Sequence, residues 1–322
     1  MKSIYVTQLQ PGKELVNEPF LLDDVARRKT RDGRPFLLCT LRDKTGLLNG
    51  VFWDVPDYVD AWVRPGIAAL VSGQTNNYKN TLQVNITDLN LAGSIASAEL
   101  LPSSQRPREE MLDELRRSVD QLSDPWLTLV STILLDEPFL TRFADAPAAR
   151  AMHHAYIGGL MEHTLSMATL AGVLAIHYPH VNRDLLLTGT LLHDVGKTEE
   201  YSIDGSFGFS EDGRLVGHIV RAVVIIEKAA AEIKFPEEDL RQLIHLIVSH
   251  HGKLEWGSPM KPKTLEAILL HQIDLLDSRV QGFYDHLQND NGEETWTTKS
   301  SLMHGSELRR PPGFTKNSQQ DL

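Results

Sequence analysis

Imidazoles and carboxylates recur along the second half of this chain at five stations: His163, the pair His193-Asp194, His218, the pair His250-His251, and Asp274. Successive stations lie about one helix-turn-helix length apart. Nitrogen and oxygen donors of this kind suit borderline and hard divalent ions such as Mn, Fe, Co, Zn or Mg. Five stations exceed what one tetrahedral ion uses, so the series reads as a site for two metals.

The elements that must position these groups are apolar helices. His163 shares a helical face with Leu160, Met167 and Leu170, at offsets of −3, +4 and +7, and so points inward. A lone histidine on such a face is most often a core residue bonded to a backbone carbonyl. The run from Leu185 is almost wholly apolar until it presents His193, Asp194, Gly196 and Lys197. A buried, ionised aspartate without a partner costs several kcal/mol, a large share of a domain's net stability, and a metal ion is the simplest partner. His250 and His251 close the apolar stretch Leu243 to Ser249, and Gly252 follows where a left-handed cap would stop the helix. Adjacent helical residues diverge by about 100°, so both imidazoles reach one cluster only at a helix end or between two ions. Asp274 repeats the Asp194 problem within Ile268 to Leu276. Each station alone admits a structural explanation; jointly they point to a metal centre.

Upstream, residues 1–92 read as strands and turns. Pro35 to Leu41 and Leu47 to Trp53 form a hairpin about Asp43 to Gly46, and further strands run over Ile67 to Gln74 and Thr81 to Leu91. The expected fold is multidomain α and β: an N-terminal five-stranded OB-type β-barrel over 1–92, a linker over 93–108, an all-α domain over 109–290, and a mobile tail over 291–322. OB barrels bind single strands by stacking bases on aromatic faces and following the backbone with basic residues. Phe36, Phe52, Trp53 and Tyr78, with Arg34, Arg42, Lys44 and Lys79, are the candidates. Phe52 and Trp53 are strand neighbours facing opposite ways, so at least one belongs to the core. Phe36, Trp53, Tyr78, Arg34 and Lys79 are the preferred contacts.

A net charge of −11 argues against nucleic-acid binding over the whole surface. Residues 1–100 hold 11 Lys and Arg against 11 Asp and Glu, so the acidic excess lies beyond them and any such contact is local. Cys39 is the only cysteine, which excludes an internal disulfide and leaves metal binding to histidine and carboxylate. No secretion-type apolar run follows the N-terminus, and no stretch reaches the roughly 18 apolar residues of a membrane span. A soluble cytoplasmic protein with no membrane partner is expected, and a homo-oligomer is an open option.

The order His163, His193-Asp194, Asp274 resembles the HD-domain phosphohydrolase superfamily, an all-helical fold, and His218 with His250-His251 resembles the second-metal set of its dinuclear members. The resemblance implies that Asp194 bridges two ions, with His163, His193 and Asp274 completing one and His218, His250 and His251 the other. Two such cations acidify a bound water and neutralise charge on a phosphoryl group during in-line displacement. Lys197, one helical turn beyond His193, is either a contact to a phosphate oxygen or a surface lysine near a helix end. His154, with His153 beside it, is either a further phosphate contact or structural.

The blocks Gly158-Gly159-Leu160-Met161-Glu162-His163-Thr164 and His250-His251-Gly252-Lys253-Leu254-Glu255-Trp256-Gly257-Ser258-Pro259 are similar to the YhaM-type 3′→5′ exoribonucleases, which also carry an OB domain ahead of the HD domain. One departure is Ile273-Asp274-Leu275-Leu276-Asp277 in place of the more usual Ala-Asp-x-x-Asp; both acids remain. The resemblance implies a metal-dependent hydrolase, with catalytic Asp194, Lys197 and His154, releasing nucleoside monophosphates from the 3′ end of single-stranded RNA, and single-stranded DNA as a further substrate. Mn²⁺ is the implied metal, with Fe, Co or Mg as alternatives. Two other readings stand beside it. One is a phosphodiesterase for a small nucleotide or cyclic dinucleotide, against which counts Trp256-Gly257-Ser258-Pro259 where that branch has Gly-Tyr-Pro. The other is a single-strand-binding regulator with a structural HD domain, against which counts the intact ligand set.

Overall fold

Side chains that alternate between core and solvent make the N-terminal strands close on themselves. The computed structural model describes residues 2–30, 32–78, 81–92, 97–149, 154–203, 207–290, 295–299 and 305–314. It divides into two units, one built mainly on Met1–Ser103 and the other on Ser104–Ser202 with Phe209–Ser318. In the first, β1 (Glu14–Lys29), β2 (Pro35–Asp43) and β3 (Gly46–Trp53) precede a short helix α1 (Asp57–Asp60), β4 (Ala68–Tyr78) and β5 (Thr81–Leu91). Leu37, Cys39 and Leu41 of β2 meet Leu48 and Phe52 of β3 and Val84 and Ile86 of β5 in the core, while Leu38 and Trp53 stay on the outer face. Parallel pairing of β3 with β5 and antiparallel pairing of β1 with β4 close the barrel in the order β1-β2-β3-β5-β4. The long β1 serves two neighbours because its register shifts between Leu15 and Glu18 and again between Leu22 and Asp24, which bends it. Gly73 marks the irregularity of β4, where a Cβ would run into the Asn85 carbonyl.

The expected linker over 93–108 is partly structured. Helix α2 (Ser97–Leu100) belongs to the barrel unit: Leu100 and Leu101 are buried, and the Lys2 backbone N–H donates to the Glu99 carboxylate at 3.0 Å.

The second unit is helical: α3 (Arg108–Val119), α4 (Trp126–Leu134), α5 (Glu137–Asp145), α6 (Gly159–His177), α7 (Arg183–Leu192), α8 (Lys197–Glu200), α9 (Glu211–Leu215), α10 (His218–Ile233), α11 (Glu237–Ser249) and α12 (Leu265–Asn289); in the chain a hairpin of β6 (Tyr201–Ile203) and β7 (Phe207–Phe209) separates α8 from α9. One apolar core joins them, with Leu115, Leu129, Phe143, Leu165, Leu186, Leu246 and Leu270 among its members. By length and composition α6 would cross a membrane, with mean hydropathy 1.3, yet Leu160, Met161, Leu165, Met167 and Ala171 are buried in this core. The hairpin β6–β7 leaves no mark in the sequence pattern, because strands of three residues are too short to show a period.

The helix that carries the apolar run from Leu185 ends at Leu192, before His193 and Asp194, and this shapes the site. Past Leu192 the bonding tightens: Val195 N–H donates to Leu192 O, and Lys197 N–H to Asp194 O, turning the chain before α8. The apolar pattern runs straight through this turn and so does not reveal it. In the segment expected to be a mobile tail, Trp296 bridges to Arg309, and the buried Arg310 guanidinium pairs with Asp290 at 3.1 Å. These described residues are therefore packed, through a polar anchor that hydrophobic periodicity cannot signal.

Candidate metal centre and barrel face

Five elements of the helical unit bring the expected ligands together: α6 supplies His163, the turn after α7 His193 and Asp194, the first residue of α10 His218, the turn after α11 His250 and His251, and α12 Asp274. Asp194 stands at their centre. Its Oδ2 lies 3.2 Å from His193 Nε2 and 4.0 Å from His163 Nε2, whereas its Oδ1 lies 3.6 Å from His218 Nε2 and 3.7 Å from His250 Nε2. His163 Nε2 is 3.4 Å from Asp274 Oδ1, and His218 Nε2 is 3.3 Å from His251 Nε2. Donors about 2.0–2.2 Å from a shared cation lie roughly 3.0–3.5 Å from one another, so the closer of these pairs already have the spacing of a ligand shell.

Each imidazole is clamped from behind. Nδ1 of His193 bonds Thr190 O at 2.9 Å, Nδ1 of His250 bonds Ile247 O at 2.7 Å, and Nδ1 of His251 bonds Trp256 O at 2.9 Å. His163 Nδ1 lies 2.7 Å from Asp277 Oδ2, and His218 Nδ1 lies 2.9 Å from Glu200 Oε1. Carbonyl and ionised carboxylate oxygens only accept, so every Nδ1 carries the hydrogen and every Nε2 is turned toward the centre. The Nε2 atoms of His193 and His250 and Oδ1 of Asp194 are buried without a hydrogen-bond partner. Lone pairs of His218 and His251 facing each other at 3.3 Å repel unless a cation lies between them. These residues fit divalent cations, which is the chemistry of the donor set.

Electrostatics prepare the same state. Burial opposes the charge on Asp194, but Lys197 and the neighbouring imidazoles hold its carboxyl well below the usual carboxylate range. Asp274 is likewise lowered, burial being outweighed by the His163 hydrogen bond and the neighbouring imidazoles. Burial and the neighbouring His251 push His250 down, and burial with His218 does the same to His251, which keeps both neutral. Ionised carboxylates and neutral imidazoles are the metal-binding forms. His163 differs: burial lowers it, yet Asp274 and Asp277 push it up to about 9.

Two further expected catalytic residues, Lys197 and His154, are buried beside the ligands. The buried Nζ of Lys197 donates to Ala148 O at 2.7 Å and pairs with Asp194 Oδ2 at 2.6 Å. The tight turn after α7 folds it back onto the bridging carboxylate. His154 is buried, with its backbone in the left-handed region at φ +52, its ring 5.4 Å from that of His163, and Nδ1 4.0 Å from Asp277 Oδ2. It stands on the Nδ1 side of His163, beside Asp277. A grouping of His154, His163 and Asp277 as a separate ion site is disfavoured, since 2.7 Å between His163 Nδ1 and Asp277 Oδ2 is a direct hydrogen bond. His153 lies outside the described residues.

The sequence reading passed over Glu200 and the orienting role of Asp277. Asp277, three residues past Asp274 on α12, was visible by helical spacing; Glu199-Glu200 reads as an ordinary acidic pair on a surface.

On the barrel, Phe36 and Trp53 are cross-strand partners stacked on the outer face of β2 and β3, with centroids 4.7 Å apart at 29°. Phe52 is in the core, which settles the alternation between Phe52 and Trp53. Arg34 lies in the β1–β2 turn, paired with Asp32 at 2.8 Å and Asp54 at 3.3 Å. Tyr78, at the end of β4, is exposed; Lys79 lies outside the described residues. Arg42 pairs with Asp23 at 2.6 Å, and Lys44 lies over the Tyr5 ring at 4.9 Å. The β2–β3 face with its flanking β1–β2 and β4–β5 loops is where OB barrels hold oligonucleotides. Because β3 and β5 run parallel from Asn49↔Gln83 to Phe52↔Ile86, Trp53 and the Tyr78 hairpin end mark opposite ends of this face, about 20 Å apart along the strands.

The HD domain model matches residues 160–279, and an OB-fold nucleic acid binding domain model matches residues 24–92. The 3′-5′ exoribonuclease YhaM of Geobacillus sp. is 36% identical over 270 residues, covering 83% of this chain and 83% of that protein. The YhaM of Bacillus subtilis is 33% identical over 83% of this chain and 86% of its own length, and that of Listeria monocytogenes 36% over 82% and 85%. With both domains matched and that identity sustained across the two together, the chain belongs to the YhaM family, whose curated members bear the name 3′-5′ exoribonuclease.

Proposed function

We propose that this chain is a divalent-cation-dependent 3′→5′ exonuclease that removes nucleoside monophosphates from single-stranded RNA. The observation that carries the reading is Asp194, whose two oxygens face two separate sets of imidazole Nε2 atoms. Mn²⁺ is proposed for both halves, with Fe, Co or Mg as alternatives, since mixed imidazole and carboxylate donors accept all of these. When bound, the ions supply charge neutralisation at the phosphate and an acidified water. The chain's own residues do the rest. Asp194 presents one oxygen to each half, Lys197 fixes its orientation, and the clamped imidazoles keep their Nε2 atoms aimed before any substrate arrives. Exonuclease polarity rests on the named activity of the relatives.

The barrel supplies affinity for the strand: the Phe36–Trp53 pair and Tyr78 stack on bases, and Arg34 and Lys79 follow the phosphates. We propose a reducing cytoplasm as its setting, since a chain whose one cysteine is Cys39 forms no internal disulfide. The test uses the full chain with Mn²⁺ and 5′-labelled single-stranded RNA or DNA, since stacking and phosphate contacts do not by themselves distinguish the sugar. The label should persist on a ladder that shortens from the 3′ end, and a chelator should stop it. Immediate release of the label, or intact RNA beside a hydrolysed cyclic dinucleotide, contradicts the proposal.

A further inference from the structure

The two halves of the centre are backed differently. Resting on the two-cation reading above, we propose that Asp277 and Glu200 are positioning residues, each governing one half. Asp277 sets His163 for the cation on the Oδ2 side of Asp194, and Glu200 sets His218 for the cation on the Oδ1 side.

The geometry is specific on both sides. Asp277 Oδ2 accepts from His163 Nδ1 at 2.7 Å, while its Oδ1 accepts from the Ser166 hydroxyl, so the carboxylate cannot swing away from the ring. Glu200 Oε1 accepts from His218 Nδ1 at 2.9 Å and from the His218 backbone N–H at 3.2 Å, pinning the ring and its own backbone through one atom. Both acids are buried. The other three imidazoles lean on neutral carbonyls of Thr190, Ile247 and Trp256. A carboxylate behind an imidazole does more than a carbonyl: it strengthens Nε2 as a donor and adds a full negative charge just outside the ligands.

Charge makes the two roles unequal. The Oδ2 half already contains Asp274 besides the shared Asp194, whereas the Oδ1 half offers three imidazoles and Asp194 alone. Glu200 therefore supplies the second negative charge that the Oδ1 half otherwise lacks, and its cation depends on it more.

The test is equilibrium dialysis of the full chain against graded Mn²⁺, counting ions per chain. Glu200→Gln and Asp277→Asn keep volume and an acceptor oxygen but remove the charge. Each should bind one Mn²⁺ as the parent does and the other about 10–100-fold more weakly, with Glu200→Gln at the larger end. Ligand variants identify which ion is lost. In a chain carrying Asp274→Ala, Glu200→Gln should weaken the ion that remains; in a chain carrying His251→Ala it should change nothing, and Asp277→Asn should show the mirror image. Parental affinities in both variants overturn the assignment, as does weakening in both backgrounds, which marks a general loosening of the fold. A parent chain that takes up fewer than two ions overturns the two-cation reading itself.

Discussion

In the barrel the residues proposed to touch substrate stand outside a core that does not need them; in the helical unit they are part of the core. Trp53 and Tyr78 are 50% and 58% exposed, whereas His163, His193 and His250 are fully buried and Asp194 is 3% exposed. A surface site can therefore be stripped without cost to its scaffold. A buried one is tied to stability, because every charge placed there needs its partner. Lys197 shows how the helical unit meets that demand, holding the Asp194 carboxylate at 2.6 Å.

The contrast is broken most directly at Asp194. Asp194→Asn should reduce hydrolysis to background while single-strand affinity, followed by fluorescence anisotropy, stays at the parental level. Loss of both would mean that the two units are not functionally separable. Next in size is Lys197→Met, which leaves the buried carboxylate unpaired. Denaturant unfolding without metal should show a loss of about 3–5 kcal/mol, shrinking when Mn²⁺ is added; an equal loss in both conditions would show that no cation reaches Asp194.

On the barrel, Trp53→Ala should weaken single-strand binding by about 1–3 kcal/mol with kcat at saturating RNA unchanged. Its neighbour gives the opposite signature, since Phe52→Ala should cost about 3–5 kcal/mol of barrel stability. A Trp53→Ala chain that melts early would place that ring in the core after all. Proton competition gives a smaller, graded effect. The raised pKa of His163, about 9, means that its ring holds a proton below that pH, which a cation on the Oδ2 side must displace. Mn²⁺ affinity should thus fall by up to about tenfold per unit as pH drops below 9, and level off above it; affinity independent of pH across this range would contradict it. Smallest is Arg34→Ala, expected to lower the salt slope of RNA binding by about one and leave hydrolysis of a small phosphodiester untouched.

How far each region could be read from residues alone follows from the same contrast. Asp194 and Asp274 stand out because a carboxylate in an apolar helix is anomalous, and the barrel strands stand out as apolar runs, Pro35 to Leu41 and Leu47 to Trp53, on either side of the turn at Asp43 to Gly46. Lys197 and His154 were harder. Where they point depends on the turn after α7 and on the left-handed backbone at His154, and neither leaves a mark in the hydrophobic pattern. Glu200 gains its meaning only from His218, 18 residues away in sequence. Arg34 and Tyr78 look like any polar turn until the closed barrel shows that both flank the Phe36–Trp53 face.

Anomalous diffraction from crystals grown with Mn²⁺ tests the central claim most directly. Two peaks should flank Asp194, one within about 2.2 Å of Oδ2 beside His163, His193 and Asp274, the other at the same distance from Oδ1 beside His218, His250 and His251. A single peak, or peaks that leave Asp194 uncoordinated, would contradict the account.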